Sequence, residues 1–192
     1  MGANGVFERD FDRLETGVAF ATAGRTITES DLVSFAALTG DRHPLHTDAR
    51  WAADSPFGER VAHGMLVLSY ALGLVPFEPT RVVALRGVDG VVFKRPAHIG
   101  DTIRVEGAID SLEPLDDEVG LVTCRWKVLN ERDETVARAK LKVLWRRREA
   151  QATSCRPEPR DSGREAEHFA GTDSGGRAGE QAIDSDVAEV YL

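Results

Sequence analysis

Apolar residues recur at helical spacing between residues 28 and 39, and they predict the first helix of the chain. The residues at this spacing are Leu32, Phe35, Ala36 and Leu38. Thr28 followed by Asp31 is typical of a capping box, with Asp in place of the usual Glu or Gln. Gly40 stands where a helix often ends in a left-handed residue. The pattern therefore predicts a helix of about three turns that leads directly into the polar segment TGDRHPLHTD, residues 39–48.

The longest apolar segment, VAHGMLVLSYALGLV at residues 61–75, predicts a second helix. It is apolar on nearly every face, which is typical of a helix buried inside a protein. The segment is too short to span a bilayer, which needs about 20 apolar residues. We therefore expect this helix to lie at the centre of the fold.

Four segments after the second helix have the pattern of strands: 82–94, 101–112, 119–129 and 135–146. The last two alternate clearly, and their apolar positions are Val122, Cys124, Trp126, Val128, Ala137, Ala139, Leu141 and Val143. Residues 18–27 add a short strand with a turn. This order of elements predicts an α+β fold in which an antiparallel meander of strands wraps a long apolar helix.

The composition changes after residue 148 and divides the chain into two predicted regions. Residues 149–192 are rich in Gly, Ser, Ala, Pro, Glu and Arg and hold few large apolar side chains. They contain ten acidic and four basic residues, and so carry most of the net charge of −8. Such a segment does not bury enough apolar surface to offset its ordering entropy. We expect a folded domain at 1–148 and a disordered acidic tail at 149–192.

The charge and cysteine patterns exclude several classes of protein. Neither region has the basic stripe of a nucleic-acid-binding protein. Cys124 and Cys155 show no CxxC spacing, so neither a metal site nor a disulfide framework is expected. The first residues lack the basic and apolar regions of a signal peptide. Together with the sparse use of cysteine, this favours a cytoplasmic protein with no membrane or nucleic-acid partner.

Asp41 and His46 are the first candidates for chemistry. Pro44 between them fixes one φ angle and stiffens the loop. A carboxylate and an imidazole held at a fixed spacing can activate a water, because a general base must lie within hydrogen-bond reach of the proton it takes. From the loop alone an ordinary turn remains the alternative, in which Asp41 bonds backbone N–H groups after Gly40 and His46 packs in the turn. Asp48 is expected to cap a short helix through ARWAADS.

His63 and Gly64 open the predicted buried helix. The free N–H groups at a helix N-terminus attract developing negative charge, and a glycine there allows a carbonyl to approach the backbone. An oxyanion hole is made in this way. Two structural roles are the alternatives: Gly64 allows close packing of the helix on the sheet, and His63 is a hydrogen-bonded core histidine.

The segment FAALTGDRHPLHTDARWAADSPFGERVAHGMLVLSYALGL, residues 35–74, resembles the MaoC-like dehydratases and R-specific enoyl-CoA hydratases. Their motif has an Asp, an Asn-Pro pair and a His at this spacing, followed by an AHGML segment that opens the central helix. A weaker resemblance extends over residues 10–146, including FKRPAHIGDT. The resemblance implies a hot dog fold, a homodimer, and syn addition of water to a trans-2-enoyl thioester or the reverse dehydration.

The same resemblance assigns roles to particular residues. It implies that Asp41 and His46 form the catalytic pair and that the backbone N–H of Gly64 binds the thioester carbonyl. It implies no metal and no cofactor other than the CoA or carrier-protein pantetheine of the substrate. His43 departs from the family, which usually has Asn there. A histidine carries a charge when protonated, so we expect His43, and with it His63, to support or tune the loop.

Two other functions stay open at this point. A hot dog thioesterase commonly carries its carboxylate on the central helix, and residues 63–75 contain neither Asp nor Glu. A non-catalytic acyl-thioester-binding or assembly subunit is also compatible with the sequence, with the His43 change having removed turnover. The hydratase or dehydratase is the leading hypothesis.

Overall fold

The computed structural model describes residues 3–148. These residues form an antiparallel sheet packed against a helix. Two short 3-10 turns, Ala3–Val6 and Phe11–Arg13, precede the first strands. The helices are α1 Glu29–Thr39, α2 Pro44–Thr47, α3 Ala49–Ala53 and α4 Gly64–Leu74. The strands are β1 Ala19–Ala21, β2 Arg25–Thr26, β3 Val82–Phe93, β4 Thr102–Pro114, β5 Val119–Leu129 and β6 Thr135–Arg146. The predicted tail at 149–192 lies outside the described residues.

Helix α1 begins and ends as the sequence predicts. The Thr28 hydroxyl accepts a hydrogen bond from the Asp31 backbone N–H at 3.3 Å, and the Asp31 carboxylate accepts one from the Thr28 N–H at 2.7 Å. Gly40 ends the helix with a φ of 78°, and its N–H donates to the Ala36 carbonyl at 3.0 Å. Because L-residues with a side chain rarely adopt this φ, glycine is required there. The chain therefore turns sharply into residues 41–47.

Helix α4 is central, but it is not buried on every face. Leu66, Val67 and Ala71 belong to the core, whereas Met65 on the opposite face is 61% exposed. The core therefore covers one face of α4, although the apolar pattern extends over nearly every face. Leu38 of α1 is likewise apolar and 83% exposed. Hydropathy marks a residue as apolar, but the neighbouring elements decide which face is covered.

The sheet has the order β1-β4-β5-β6-β3, and β2 pairs with β4. All pairs are antiparallel. Strands β4, β5 and β6 form the predicted meander, but β3 pairs with β6 instead of β4, so a four-stranded meander was wrong. The connection between β3 and β4 passes the start of α4, where the Ala62 N–H donates to the Ala97 carbonyl at 2.7 Å. This connection crosses the sheet, so β3 and β4 do not form a hairpin.

One face of β5 and β6 forms the main wall of the core. Its residues are the eight predicted from alternation, all of them buried: Val122, Cys124, Trp126, Val128, Ala137, Ala139, Leu141 and Val143. Burial raises the pKa of the Cys124 thiol to about 12, so the thiolate needed for nucleophilic chemistry does not form near neutral pH. In the described part of the chain, no helix is long and apolar enough to cross a membrane.

Candidate active site

Asp41 lines a cavity and comes directly after the end of α1. Its backbone N–H donates to the Thr39 hydroxyl at 3.2 Å, and its carboxylate accepts the His43 backbone N–H at 3.3 Å. The cavity has a volume of about 540 Å³ and is lined by Asp41, His63 and Gly64 among others. That volume lies within the range of small-molecule sites, about 300–1,000 Å³. Three of the sequence-predicted site residues therefore line one cavity.

His43 caps helix α2 in the role that an asparagine side chain plays elsewhere. Its Nδ1 accepts a hydrogen bond from the Leu45 backbone N–H at 3.1 Å, which is the N-cap interaction. The accepting nitrogen has no proton, so the cap uses the neutral imidazole. The ring also lies edge-on to Trp51, with centroids 5.3 Å apart. His43 thus supports the loop that holds the acid/base candidates, and its departure from the family pattern preserves the cap.

Replacing His43 with alanine is expected to lower the free energy of unfolding by about 0.5–2 kcal/mol, because the cap of α2 is lost. Asparagine restores an acceptor at the same place, so His43→Asn is expected to stay close to the wild type. Urea unfolding followed by circular dichroism measures both variants. Equal stability of the alanine variant and the wild type would show that the cap contributes nothing.

His46 lies on α2 with one ring nitrogen fixed by the backbone. Its Nδ1 is 2.7 Å from the Val61 carbonyl oxygen. A carbonyl oxygen only accepts, so the proton is on Nδ1 and Nε2 carries a free lone pair. Burial lowers the pKa of His46 below its ordinary value, and the bond to Val61 opposes this effect. The ring is therefore neutral near physiological pH and available as a base.

His63 connects the two candidates to the start of α4. It is 2% exposed, and its Nε2 donates to the Asp41 backbone carbonyl at 3.0 Å. Its ring stacks on the His46 ring, with centroids 3.8 Å apart and planes 27° apart. A possible ligand atom from each of Asp41, His46 and His63 lies within 4.8 Å of the other two. The structure therefore brings the predicted pair together and places His63 against both members.

Gly64 is the first residue of α4, where backbone N–H groups have no partner within the helix. A Cβ atom at this position would lie 2.6–2.9 Å from three ring atoms of Phe93. A larger residue at this position would therefore have to displace the Phe93 ring from the cavity wall. The N–H of Gly64 and the positive end of the helix dipole favour negative charge in this region.

The structure also places Asp48 and the histidine outside the cluster, His98. Asp48 caps α3, with its carboxylate accepting the backbone N–H groups of Arg50 and Trp51 at 2.8 and 3.0 Å. His98 lies outside the Asp/His cluster, and its Nδ1 is 3.2 Å from a Glu59 carboxylate oxygen. The sequence alone does not select which basic residues line the cavity. The structure places Lys94 and Arg95 on its wall, whereas Arg125 pairs with Asp110 at 2.8 Å.

Sequence reasoning missed three contributions to this site. The Val61 carbonyl, which fixes the His46 ring, belongs to the backbone. Every residue has such a group, so the sequence does not mark it. The stacking of His63 on His46 joins positions that are remote in sequence. Phe93 reaches Gly64 from strand β3. The one sequence feature that indicated these contacts is the AHGM segment, which places His63 beside Gly64 at the start of α4.

A long helix packed on an antiparallel sheet, with a cavity and an Asp/His cluster at the helix start, defines this protein as a hot dog fold protein. A double hot dog protein from Mycobacterium tuberculosis shares the fold, with a TM-score of 0.65 and 23% identity over 74% of this chain and 45% of that chain. The model of the MaoC like domain matches residues 14–130, which is more than half of the chain. The chain therefore belongs to the MaoC-like domain family.

Relatives with higher identity support the same assignment. Protein MaoC of Klebsiella aerogenes is 42% identical over 100 residues, which cover 52% of this chain and 30% of that protein. The (R)-specific enoyl-CoA hydratase of Rhodospirillum rubrum is 30% identical over 114 residues, or 59% of this chain and 78% of that protein. The match thus spans less than a third of the Klebsiella protein.

A solved structure extends the likeness to three dimensions. The monoamine oxidase regulatory protein from Archaeoglobus fulgius has a TM-score of 0.70 with 38% identity. The alignment covers 73% of this chain and 95% of that chain. Most of this chain therefore shares its fold with that solved structure. Both the family and the hot dog fold expected from the sequence are confirmed.

Proposed function

We propose that this protein adds water to trans-2-enoyl thioesters, or removes it from 3-hydroxyacyl thioesters, with Asp41 and His46 as its acid/base pair. The observation that carries the proposal is the cluster of a carboxylate and a neutral imidazole within 4.8 Å, beside the free N–H groups of α4. The hydratase name of the Rhodospirillum rubrum relative agrees with it. The reaction needs no metal and no cofactor beyond the CoA or carrier-protein pantetheine of the substrate.

The water of the proposed reaction is held between two acceptors. His46 Nε2 has a lone pair because its Nδ1 proton is committed to Val61. The Asp41 carboxylate offers the second acceptor, with an oxygen within 4.8 Å of a His46 ring nitrogen. Two O–H bonds directed at these acceptors leave an oxygen lone pair to face the substrate. Holding the water in this orientation contributes to the rate because it removes orientational freedom before the reaction.

Addition then follows a balanced path. The water oxygen bonds to C3, the π electrons of the C2–C3 bond shift toward the thioester carbonyl, and the acid/base pair takes one water proton. Negative charge develops on the carbonyl oxygen, where the Gly64 N–H and the α4 dipole stabilise it. The pair then returns the proton to C2. Both new bonds form on the face where Asp41 and His46 lie, so the addition is syn, and dehydration is the same path in reverse.

The carrier of the acyl group is expected to approach along the basic wall of the cavity. Lys94 and Arg95 line it next to Phe93, and Arg95 also pairs with Glu134 at 3.3 Å. The pantetheine arm of either carrier leads to phosphate groups, which these cations attract. The apolar part of the lining suits the acyl chain and includes Phe35, Phe57, Met65 and Val67.

The edge of the sheet supports the homodimer that the family resemblance implies. Strand β3 ends the sheet order and exposes Leu85, Val88 and Phe93. Unpaired edges with exposed apolar residues favour pairing with a second chain. We therefore propose a dimer through this edge. Sedimentation velocity measures the mass directly, and a monomer at micromolar concentration would contradict the proposal.

Incubation with crotonyl-CoA is expected to decrease the enoyl absorbance and to form 3-hydroxybutyryl-CoA, because the cluster adds water to C3. A panel of enoyl-CoAs of increasing chain length measures the rate for each substrate. The product is analysed by chiral chromatography, and free thiol is measured in parallel. Inactivity on every enoyl-CoA and enoyl-carrier protein would contradict the proposal.

The same assay separates the two alternatives. Thiol release without loss of unsaturation would identify a thioesterase, although α4 has no Asp or Glu to act in that reaction. Binding of enoyl-CoA without turnover at any pH would identify a non-catalytic binding subunit. Hydration with the thioester intact is the expected result.

A further inference from the structure

Two histidines of the cluster each have one unprotonated ring nitrogen, because a backbone carbonyl accepts a hydrogen bond from the other nitrogen. The Val61 carbonyl holds the proton of His46 on Nδ1, which leaves Nε2 free. The Asp41 carbonyl likewise holds the proton of His63 on Nε2, which leaves Nδ1 free. Histidines that bind metals usually donate their other ring N–H to a carbonyl or carboxylate in this way. Both rings therefore already have the hydrogen bonds that support a metal ligand.

His63 Nδ1 is the second observation that points to a ligand. The residue is 2% exposed, and Nδ1 has no hydrogen-bond partner among the described residues. A buried polar atom without a partner is uncommon and calls for an explanation. In the proposed hydration Nδ1 has no role, because Asp41 and His46 hold the water. His63 lines the same cavity as Asp41.

The three side chains have the chemistry and spacing of a transition-metal site. Ligand atoms of Asp41, His46 and His63 lie within 4.8 Å of one another. Two imidazoles and a carboxylate suit Zn²⁺, which binds nitrogen at about 2.0–2.1 Å, better than Mg²⁺ or Ca²⁺, which favour oxygen. Tetrahedral ligands at that bond length are roughly 3.3 Å apart, so the ligand atoms must shift by about 1–1.5 Å. The stacked His46 and His63 rings must also turn apart until both lone pairs point at the ion. Asp41 follows the helix-ending Gly40 on a loop, where such a shift is available.

We propose that Asp41, His46 and His63 bind one divalent transition-metal ion, with Zn²⁺ as the model ion, and that this ion inhibits the protein. The inhibition rests on the proposed function, whereas the binding does not. A bound ion occupies the His46 Nε2 lone pair and the Asp41 carboxylate. No base then remains to take the proton of the water and return it to C2. The concentration of free metal thus controls the activity, although the reaction itself uses no metal.

Isothermal titration of the full-length, chelator-treated protein with Zn²⁺ tests the binding. We expect one ion per chain, and a loss of affinity of at least about tenfold in Asp41→Asn and in His46→Asn, since each removes a ligand. His98→Asn is the matched control, because it removes an imidazole that lies beside Glu59 and outside the cluster. His168 lies outside the described residues, so all variants are also made in a His168→Ala background.

Co²⁺ provides a second readout that does not depend on turnover. Its visible absorption is expected to report nitrogen coordination in the wild type and to be lost in His46→Asn. Absence of stoichiometric binding, or equal affinity in the wild type and both cluster variants, would overturn the site. If hydration is detected, Zn²⁺ is expected to abolish it and a chelator to restore it. Full activity with the site occupied, or faster hydration on adding Zn²⁺, would overturn the inhibitory role.

Discussion

Asparagine at position 41 is expected to lower kcat for enoyl-CoA hydration by about 10²–10⁴-fold, the range contributed by a positioned acid/base group. The amide keeps the size of the carboxylate but does not take a proton. Its oxygen still accepts the His43 N–H, and the Asp41 carbonyl that binds His63 is unchanged. The loop therefore keeps its shape. KM is expected to change little, because the carboxylate acts on the water and not on the acyl chain.

Asp48→Asn is the matched control for this experiment. It makes the same chemical change in the same segment, at a carboxylate whose contacts are the backbone N–H groups at the start of α3. Asparagine caps helices about as well as aspartate, so stability and activity are both expected to persist. Steady-state kinetics and thermal unfolding of the two variants are compared. Equal activity of Asp41→Asn and Asp48→Asn would remove Asp41 from the reaction.

Local signals predicted the parts of the fold that depend on neighbouring residues. Thr28, Asp31 and Gly40 act within one or two turns of α1, so the sequence alone predicted both of its ends. The alternation in β5 and β6 predicted their buried face, because side chains on a strand point to opposite sides in turn. Strand order is different, since it depends on how a connection crosses the fold. The pairing of β3 with β6 therefore appeared only in the structure.

The candidate site likewise has one part that the sequence predicted and another that only the structure shows. Asp41 and His46 are close in sequence, and the family motif indicated them together with Gly64. Their arrangement depends on atoms that no motif shows: the Val61 carbonyl that fixes the proton on His46, and the His63 ring that stacks on it. The protonation pattern of the site, and with it the proposed metal binding, follows from these tertiary contacts.

His46→Asn is expected to reduce kcat by about 10²–10⁴-fold, because it removes the nitrogen that accepts the water proton. The asparagine amide lies near the former Nδ1 and still donates to the Val61 carbonyl. The loop therefore keeps this bond while the base is lost. Circular dichroism and unfolding measurements check that the fold persists. His98→Asn is the control here as well and is expected to keep full activity.

The pH dependence of wild-type activity tests whether the reduced kcat of His46→Asn comes from loss of the His46 imidazole. The base is needed neutral, so activity is expected to fall as pH decreases through the pKa of His46. Burial lowers that pKa, so the decline is expected below about 6.5, the ordinary histidine value. His43→Asn removes the neighbouring titratable ring and is expected to keep this decline, whereas the residual activity of His46→Asn is expected to lack it. A decline that disappears in His43→Asn and persists in His46→Asn would assign it to His43, and His46 would then not be the base.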